Sequence, residues 1–347
     1  MSCIIADGFD DRFYISNGSD FEGTWPDTYN GWDLYDEMYY DDWELSRSGG
    51  REEGRYGGWV VSPLDDRMYQ SATSLEHNFV ATKAICGGMA FRGVSNSDPL
   101  GIGNATSGVG LTIYSSGRIV ATYIVGYSTV DVESRYTCRM TNWLWHYLTF
   151  DCNIGDPGAD YLKVWIDGEL VLDITGVTFS TTGGATQIQL PYSMTQLDDI
   201  WVKSDHDYFM EAQILALFPD GAGSYTDFMP VGESSNYLNV DEFEQDFDST
   251  YNYGVSGDKD SFAFMDLDTT GDVHALVVRV FAKGEAGNAD ELRPFVIVGG
   301  NKYNGTSQLP SEVRYGYIQH IWDINPDTSV SWTVSDINAI QIGYEVM

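Results

Sequence analysis

Three arrangements of side chains would give this chain a reaction to run: a carboxylate pair across one bond, a histidine beside a nucleophile, or a cluster of metal ligands. Acids are plentiful, 52 Asp and Glu in 347 residues. Glycoside hydrolysis needs two of them flanking one bond. Asp198 and Asp199 are adjacent, so in a strand they face opposite sides and cannot work as a pair. They read as turn or edge acids of a strand. The histidines His77, His146, His206, His274 and His320 are scattered, and no Gly-x-Ser-x-Gly elbow accompanies them. A Ser-His-Asp site is therefore unsupported. Asp266-Leu267-Asp268-Thr269-Thr270-Gly271 matches the first half of an EF-hand loop, but position twelve falls on Val277, where a bidentate Glu is required. Asp266, Asp268 and Asp272 could form a partial Ca²⁺ site; an acidic turn before a strand is the simpler reading. The residues nominate no catalytic group, no metal site and no cofactor, and leave any binding site unassigned.

Cys3, Cys86, Cys138 and Cys152 show no metal-ligand spacing. Cys138 is in phase with Tyr136 and Met140, and Cys152 with Leu148 and Phe150. On such apolar stripes free Cys acts as a small hydrophobe, so all four read as reduced core residues. A Cys138–Cys152 bridge has no special support from the spacing. Residues 1–10 have no basic start and no adequate apolar run, so no signal peptide is expected. No stretch approaches a membrane span. Sequons at Asn17, Asn104 and Asn304 mean little without a secretory route. The balance of 18 basic against 52 acidic residues gives a net charge of −34. A field of this sign repels nucleic acid and anionic membranes, so neither is an expected partner. Solvated surface charge explains the acids better than specific cation binding does.

The elements that must position these residues are strands. In YLKVWIDGELVLDI, residues 161–174, apolar and polar residues alternate on both sides of Asp167-Gly168. Asp-Gly suits a two-residue type I′ turn, so this is a hairpin with Leu162, Val164 and Ile166 on one face. A hairpin alone is marginal, and residues 197–202 could close a larger sheet around it. Residues 1–60 interleave Phe9, Phe13, Tyr14, Phe21, Trp25, Tyr29, Trp32, Tyr35, Tyr39, Tyr40 and Trp43 with acids, Asn and Gly. An edge strand at 8–15 and then a long aromatic-anchored loop are expected there. Further strands are expected at 57–63 and at 78–91, the latter with a bulge at Gly87-Gly88. Strands at 110–114 and 118–125 should pair, as should 133–140 and 145–152. After residue 202 the pattern restarts. A strand at 210–218 runs into a turn at Pro219-Asp220-Gly221, and strands follow at 273–282, 293–298 and 313–322. Thr333 to Asp336 reads as a capping box opening a helix through Ile340, before a last strand at 341–346. Gly is abundant and amphipathic helical runs are few, so the fold class is all-β. Two β-sandwich domains are expected, 1–208 and 209–347.

Taken together, GRYGGWVV, NFVATKAICGGMAFR, YLKVWIDGELV and LDDIWV resemble the concanavalin A-like, laminin-G-type jelly roll. The later blocks ILALFPDGAGSYTDF, YLNVDEFEQDFDSTY and INPDTSVSWTVSDINAIQIGYEV resemble a companion β domain of bacteriophage structural proteins. The last of these is the most specific. The resemblance covers most of the chain except the aromatic stretch at 20–50. It implies a virion component assembled in the host cytoplasm: a tail or tail-fibre protein, with capsid decoration as an alternative. Its implied partners are other virion proteins, copies of itself (a trimer, by likeness to tail fibres) and a host-surface glycan. The rival is a lectin-like or hydrolytic module of a cellular organism, because the jelly roll serves many functions. Jelly-roll hydrolases carry Glu-x-Asp-x-x-Glu or Glu-x-Asp-x-Glu on one strand; neither pattern stands here, so no enzymatic activity is expected. Aromatics are enriched at interfaces, so residues 9–43 are expected to contact a neighbouring subunit.

Overall fold

The computed structural model describes residues 74–94, 100–104, 107–125, 128–134, 137, 144–179, 183–190, 194–241, 248–285, 287, 290–312 and 315–347, and the strand backbones at 3–7, 28–29, 32–35, 43–46 and 60–63. The chain forms two compact units, Met1–Leu215 and Ala216–Met347. Both are all-β sandwiches, as the alternation and turn signals predict.

The first unit is built from β1 (Cys3–Asp7), β2 (Thr28–Tyr29), β3 (Trp32–Tyr35), β4 (Trp43–Ser46), β5 (Val60–Pro63), β6 (Ser74–Thr82), β7 (Ala84–Val94) and β8 (Leu100–Asn104). It continues with β9 (Ser107–Ile113), β10 (Ile119–Val125), β11 (Ser128–Glu133), β12 (His146–Asn153), β13 (Asp160–Ile166), β14 (Glu169–Val177), β15 (Ala185–Leu190) and β16 (Met194–Lys203). One eight-stranded sheet runs β14-β13-β12-β7-β16-β5-β4, with β1 paired to β16; the other runs β11-β10-β9-β8-β15-β6-β3-β2. The hairpin is as expected: Asp167 at φ 50° and Gly168 at φ 81° join β13 to β14. Leu162, Val164 and Ile166 are buried. So are Ile85, Met89, Leu148, Phe150 and Cys152 in the neighbouring strands, each large apolar side chain contributing roughly 1.5–3 kcal/mol.

Several expectations need correction. The apolar run at 78–91 is two strands, not one. The chain breaks at Lys83, and β6 and β7 lie in different sheets. Hydrophobic continuity cannot show a crossing between layers: apolar residues run on through both strands, although β7 buries Ile85 and Met89 while Val80 of β6 is 90% exposed. Gly87-Gly88 is not a bulge, since β7 pairs with β12 in unbroken register. The glycines make room instead: a Cβ on Gly87 would lie 2.7 Å from Phe150, and one on Gly88 2.7 Å from Trp201. The bulge sits across the ladder in β16, between Asp198 and Trp201, where Asp199 takes φ 49°. The strand at 194–203 does belong to the hairpin's sheet, as expected, with β12 and β7 standing between them. β12 does not pair with a strand from 133–140 but with β7 and β13. Most of 133–140, and the edge strand expected at 8–15, lie outside the described residues. The expected aromatic loop contains the strands β2 to β4, and its side chains are outside the described residues.

The second unit comprises β17 (Pro219–Thr226), β18 (Met229–Val231), β19 (Tyr251–Tyr253), β20 (Lys259–Phe264), β21 (Leu276–Ala282), β22 (Leu292–Val298), β23 (Asn301–Asn304), β24 (Gly316–Trp322), α1 (Val334–Ile337) and β25 (Gln341–Val346). A five-stranded sheet, β17-β20-β25-β22-β23, carries Val296, Val298 and Ile342 into a core shared with Val278 and Trp322 of the β21–β24 ribbon. Pro219-Asp220-Gly221 opens β17 rather than forming a turn, and 210–218 is not a strand. The capping box is present: Asp336 N–H donates to Thr333 Oγ1 (3.1 Å), and Thr333 N–H to Asp336 Oδ2 (2.9 Å). Beside it Trp332 is buried and donates from Nε1 to Trp322 O (2.9 Å).

Candidate functional site

Strand parity decides which polar residues meet on the first sheet. In β12 the residues His146, Leu148, Phe150 and Cys152 alternate with Tyr147, Thr149 and Asp151, and both sets are buried. The second set shares its face with Cys86 and Gly88 of β7, Tyr161, Lys163 and Trp165 of β13, and Trp201 and Lys203 of β16. Residues 204–214 then double back over this face. Thr149 Oγ1 donates to Phe209 O and Met210 O (3.1 and 3.0 Å), and Ile214 N–H to Asp199 Oδ1 (2.8 Å). Tyr208 stacks on Trp165 at 4.7 Å, and Phe209 packs on Trp201.

That return brings His206 onto Asp151. Nδ1 of His206 lies 2.6 Å from Asp151 Oδ1, while Tyr161 OH donates to Asp151 Oδ2 (3.1 Å) and lies 2.9 Å from the same Nδ1. The Asp151 side chain is 8% exposed and that of His206 43%. A buried carboxylate thus holds a half-exposed imidazole and a half-buried phenol at the surface. Burial, then the charge of Asp151, pushes the Tyr161 hydroxyl well above its ordinary value, so it stays a protonated donor. Deeper in, Cys86 Sγ donates to Asp205 Oδ1 (3.8 Å), and Lys203 Nζ bonds Asp207 (3.0 Å). Burial, then Asp205, pushes the Cys86 thiol far up, so it is no thiolate nucleophile. On the other side β14 adds Thr175 opposite Tyr161 and Asp173 opposite Lys163, both exposed.

The residues considered from sequence fall elsewhere. Asp199 is buried in the bulge, and the side chain of Asp198 is outside the described residues. His146 Nδ1 contacts Asp167 Oδ2 (2.7 Å), and Asp167 Oδ1 accepts Tyr147 N–H (2.8 Å), so this pair fastens the hairpin turn to β12. Asp266, Asp268 and Asp272 are exposed. Their segment is clasped to the end of α1 through Leu267 N–H to Asn338 Oδ1 (2.7 Å) and Asn338 Nδ2 to Leu267 O (3.3 Å). Among the described residues no group of three or more His, Cys, Asp or Glu could hold a metal ion. Cys86 and Cys152 are buried free thiols, as the apolar stripe predicts for Cys152; the side chains of Cys3 and Cys138 are outside the described residues. Sequence reading missed the Asp151–Tyr161–His206 cluster. Its one legible signal is that Asp151 is the one acid of β12 and sits at the parity of Tyr147 and Thr149, opposite the apolar stripe.

No protein-family model and no curated protein matches the chain. Similar solved structures include an endo-β-1,4-glucuronan lyase from the fungus Trichoderma reesei, 15% identical, covering 52% of this chain and 96% of that one, with a TM-score of 0.37. Another is a carbohydrate esterase from the Shiga toxin-encoding bacteriophage phi24B, 14% identical over 51% and 91% of the two chains, TM-score 0.35. A third is the binding domain of botulinum neurotoxin DC, solved with rat synaptotagmin II, 11% identical over 99% and 81%, TM-score 0.33. All three are distant.

Proposed function

We propose that this chain is a non-enzymatic structural component of a bacteriophage virion, of the tail or tail fibre, which contacts a host-surface glycan. It is assembled in the host cytoplasm as a cyclic homo-oligomer, a trimer, among other virion proteins. One observation carries this reading: the block that most resembles phage structural proteins folds as one interlocked piece. Asn325 Oδ1 accepts Asp327 N–H (2.9 Å) in the turn that opens it. Trp332 and the Thr333 capping box follow, and β25 ends it, hydrogen-bonded between β20 and β22. The non-enzymatic part of the reading is supported by the missing Glu-x-Asp-x-Glu and Glu-x-Asp-x-x-Glu patterns, and the buried acids described are held by hydrogen bonds. Asp151 is bonded to Tyr161 and His206, and Asp160 accepts two backbone N–H groups, from Asp156 and Phe179.

Mass spectrometry of purified particles should find the chain at a fixed copy number, and antibody labelling in the microscope should mark the tail. Labelling over the head would favour capsid decoration, the second reading. Absence from particles would sink both. Incubation with host-surface polysaccharide should release no reducing ends; release abolished by a single Asp or Glu substitution would overturn the non-enzymatic assignment.

A further inference from the structure

We propose that the face formed by Tyr161, Lys163, Asp173, Thr175 and His206, backed by Asp151, is the glycan-binding subsite, and that it takes neutral or amino sugars and rejects uronic and sialic acids. The inference rests on the attachment reading above and adds its site and its ligand class.

The geometry has what a polyol requires. Sugar hydroxyls are both donors and acceptors, so a site for them must offer both at short spacing. Tyr161 and Lys163 are two residues apart on β13, and Thr175 and Asp173 stand directly opposite them on β14. Cross-strand partners lie about 5 Å apart and same-face neighbours along a strand about 7 Å apart, roughly the span of one pyranose ring. His206 borders Tyr161 with ring centroids 5.6 Å apart. Its Nδ1 edge is held by Asp151, which orients the ring as a second partner orients a histidine in other sites. The Tyr161 ring adds an aromatic surface for sugar C–H groups, with the Lys163 ammonium 5.8 Å from its centroid. The bonds from Tyr161 and His206 offset the burial of Asp151 and in turn hold the phenol and the imidazole in fixed positions at the surface, which is the preorganisation a binding face requires.

Charge sets the ligand class. Asp151, Asp173, Asp205 and Asp207 outnumber Lys163 and Lys203 around the face, and the chain carries −34 overall. An anionic sugar would meet like charge both locally and at long range, whereas an ammonium would meet Asp173.

The test is calorimetric titration of the full chain at low salt with three probes: cellohexaose, a chitosan hexamer and a hexamer of glucuronate. Binding of either or both of the first two, with none of the third, is expected. His206→Ala and Tyr161→Phe should each weaken binding at least tenfold, and because each removes a bond to the buried Asp151 each should also lower the thermal midpoint without abolishing folding. Asp173→Lys lies on an exposed strand position, and it should weaken chitosan binding and admit the glucuronate hexamer. Tighter binding of glucuronate by the native chain, no binding of any probe, or indifference to all three substitutions would overturn the proposal. Particle mass spectrometry is independent of these results, so a chain found in the tail that binds none of the probes would sink this inference and leave the virion reading standing.

Discussion

At the scale of single residues, backbone conformation and burial make the sharpest predictions. Gly168 sits at φ 81°, and a Cβ built there meets nothing within 4 Å. Any penalty for substitution is therefore conformational rather than steric. A left-handed backbone costs an L-residue about 1–2 kcal/mol, and a β-branched one more. Gly168→Val should lower stability by at least that amount in chemical denaturation, and Gly168→Ala by less; equal midpoints for all three chains would refute the type I′ turn. Asp260 is fully buried and accepts bonds from Asn236 Nδ2 (2.6 Å) and Phe228 N–H (3.2 Å). Burial nonetheless outweighs these bonds and pushes its carboxyl up to about 6 from 3.8. The folded state then holds a proton that the unfolded chain releases. Its stabilising contribution, about 3 kcal/mol for a shift of this size, is present below pH 4 and is lost as pH rises through about 6. Glu345 acts oppositely. Burial raises its carboxyl, but bonds from Lys302 and Arg293 prevail and hold it low, so its contribution is present above the ordinary Glu value and lost in acid. Comparing midpoints of the native chain and Asp260→Asn from pH 4 to 7 isolates the first effect. The difference should shift in favour of the variant as pH rises, and a constant difference would exclude it.

Elements were legible in sequence where the signal was local. Asp167-Gly168 gave the turn, the alternation of 162, 164 and 166 gave the buried face, and Thr333 and Asp336 gave the helix start. Which sheet a strand joins was not legible. Nothing local in ATKAI shows that the chain changes layer at Lys83, because both layers demand the same apolar alternation. The bulge lies on the strand opposite the Gly-Gly pair for a related reason. Gly87 and Gly88 are small because Phe150 and Trp201 press on them, while the irregularity is absorbed by Asp199 opposite. The candidate site was hidden by the same non-locality: Asp151, Tyr161 and His206 are brought together by register and by the return of 204–214. At this scale the capping box can be tested alone. α1 is a single turn, too short to stand by propensity, so its cap and the packing of Ile337 carry it. Thr333→Ala should cost about 0.5–2 kcal/mol, while Thr333→Ser, which keeps the hydroxyl, should cost much less. Equal losses for the two would mean that the cap contributes nothing.

For the whole molecule the governing quantity is charge. The homo-oligomer proposed above would gather copies of a chain at −34 against its own field. The aromatic segment 9–43 is the stretch the sequence nominates for that contact, since Trp and Tyr concentrate where interfaces bury area. The two effects have different ranges. Apolar burial acts at contact, whereas repulsion reaches about 30 Å at 0.01 M salt and about 8 Å at 0.15 M. Raising ionic strength therefore removes the opposing term and leaves the attractive one nearly untouched. Light scattering of the isolated chain should show a mass rising from monomer toward trimer between 0.01 and 0.5 M salt. Closed symmetry should halt the rise at a fixed multiple instead of continuing to open aggregates. Replacing Trp25, Trp32 and Trp43 together by Ala should hold the mass at the monomer in every salt while both units keep their unfolding transitions. A mass that ignores salt, or a triple variant that still assembles, would assign these tryptophans to anchoring their own chain.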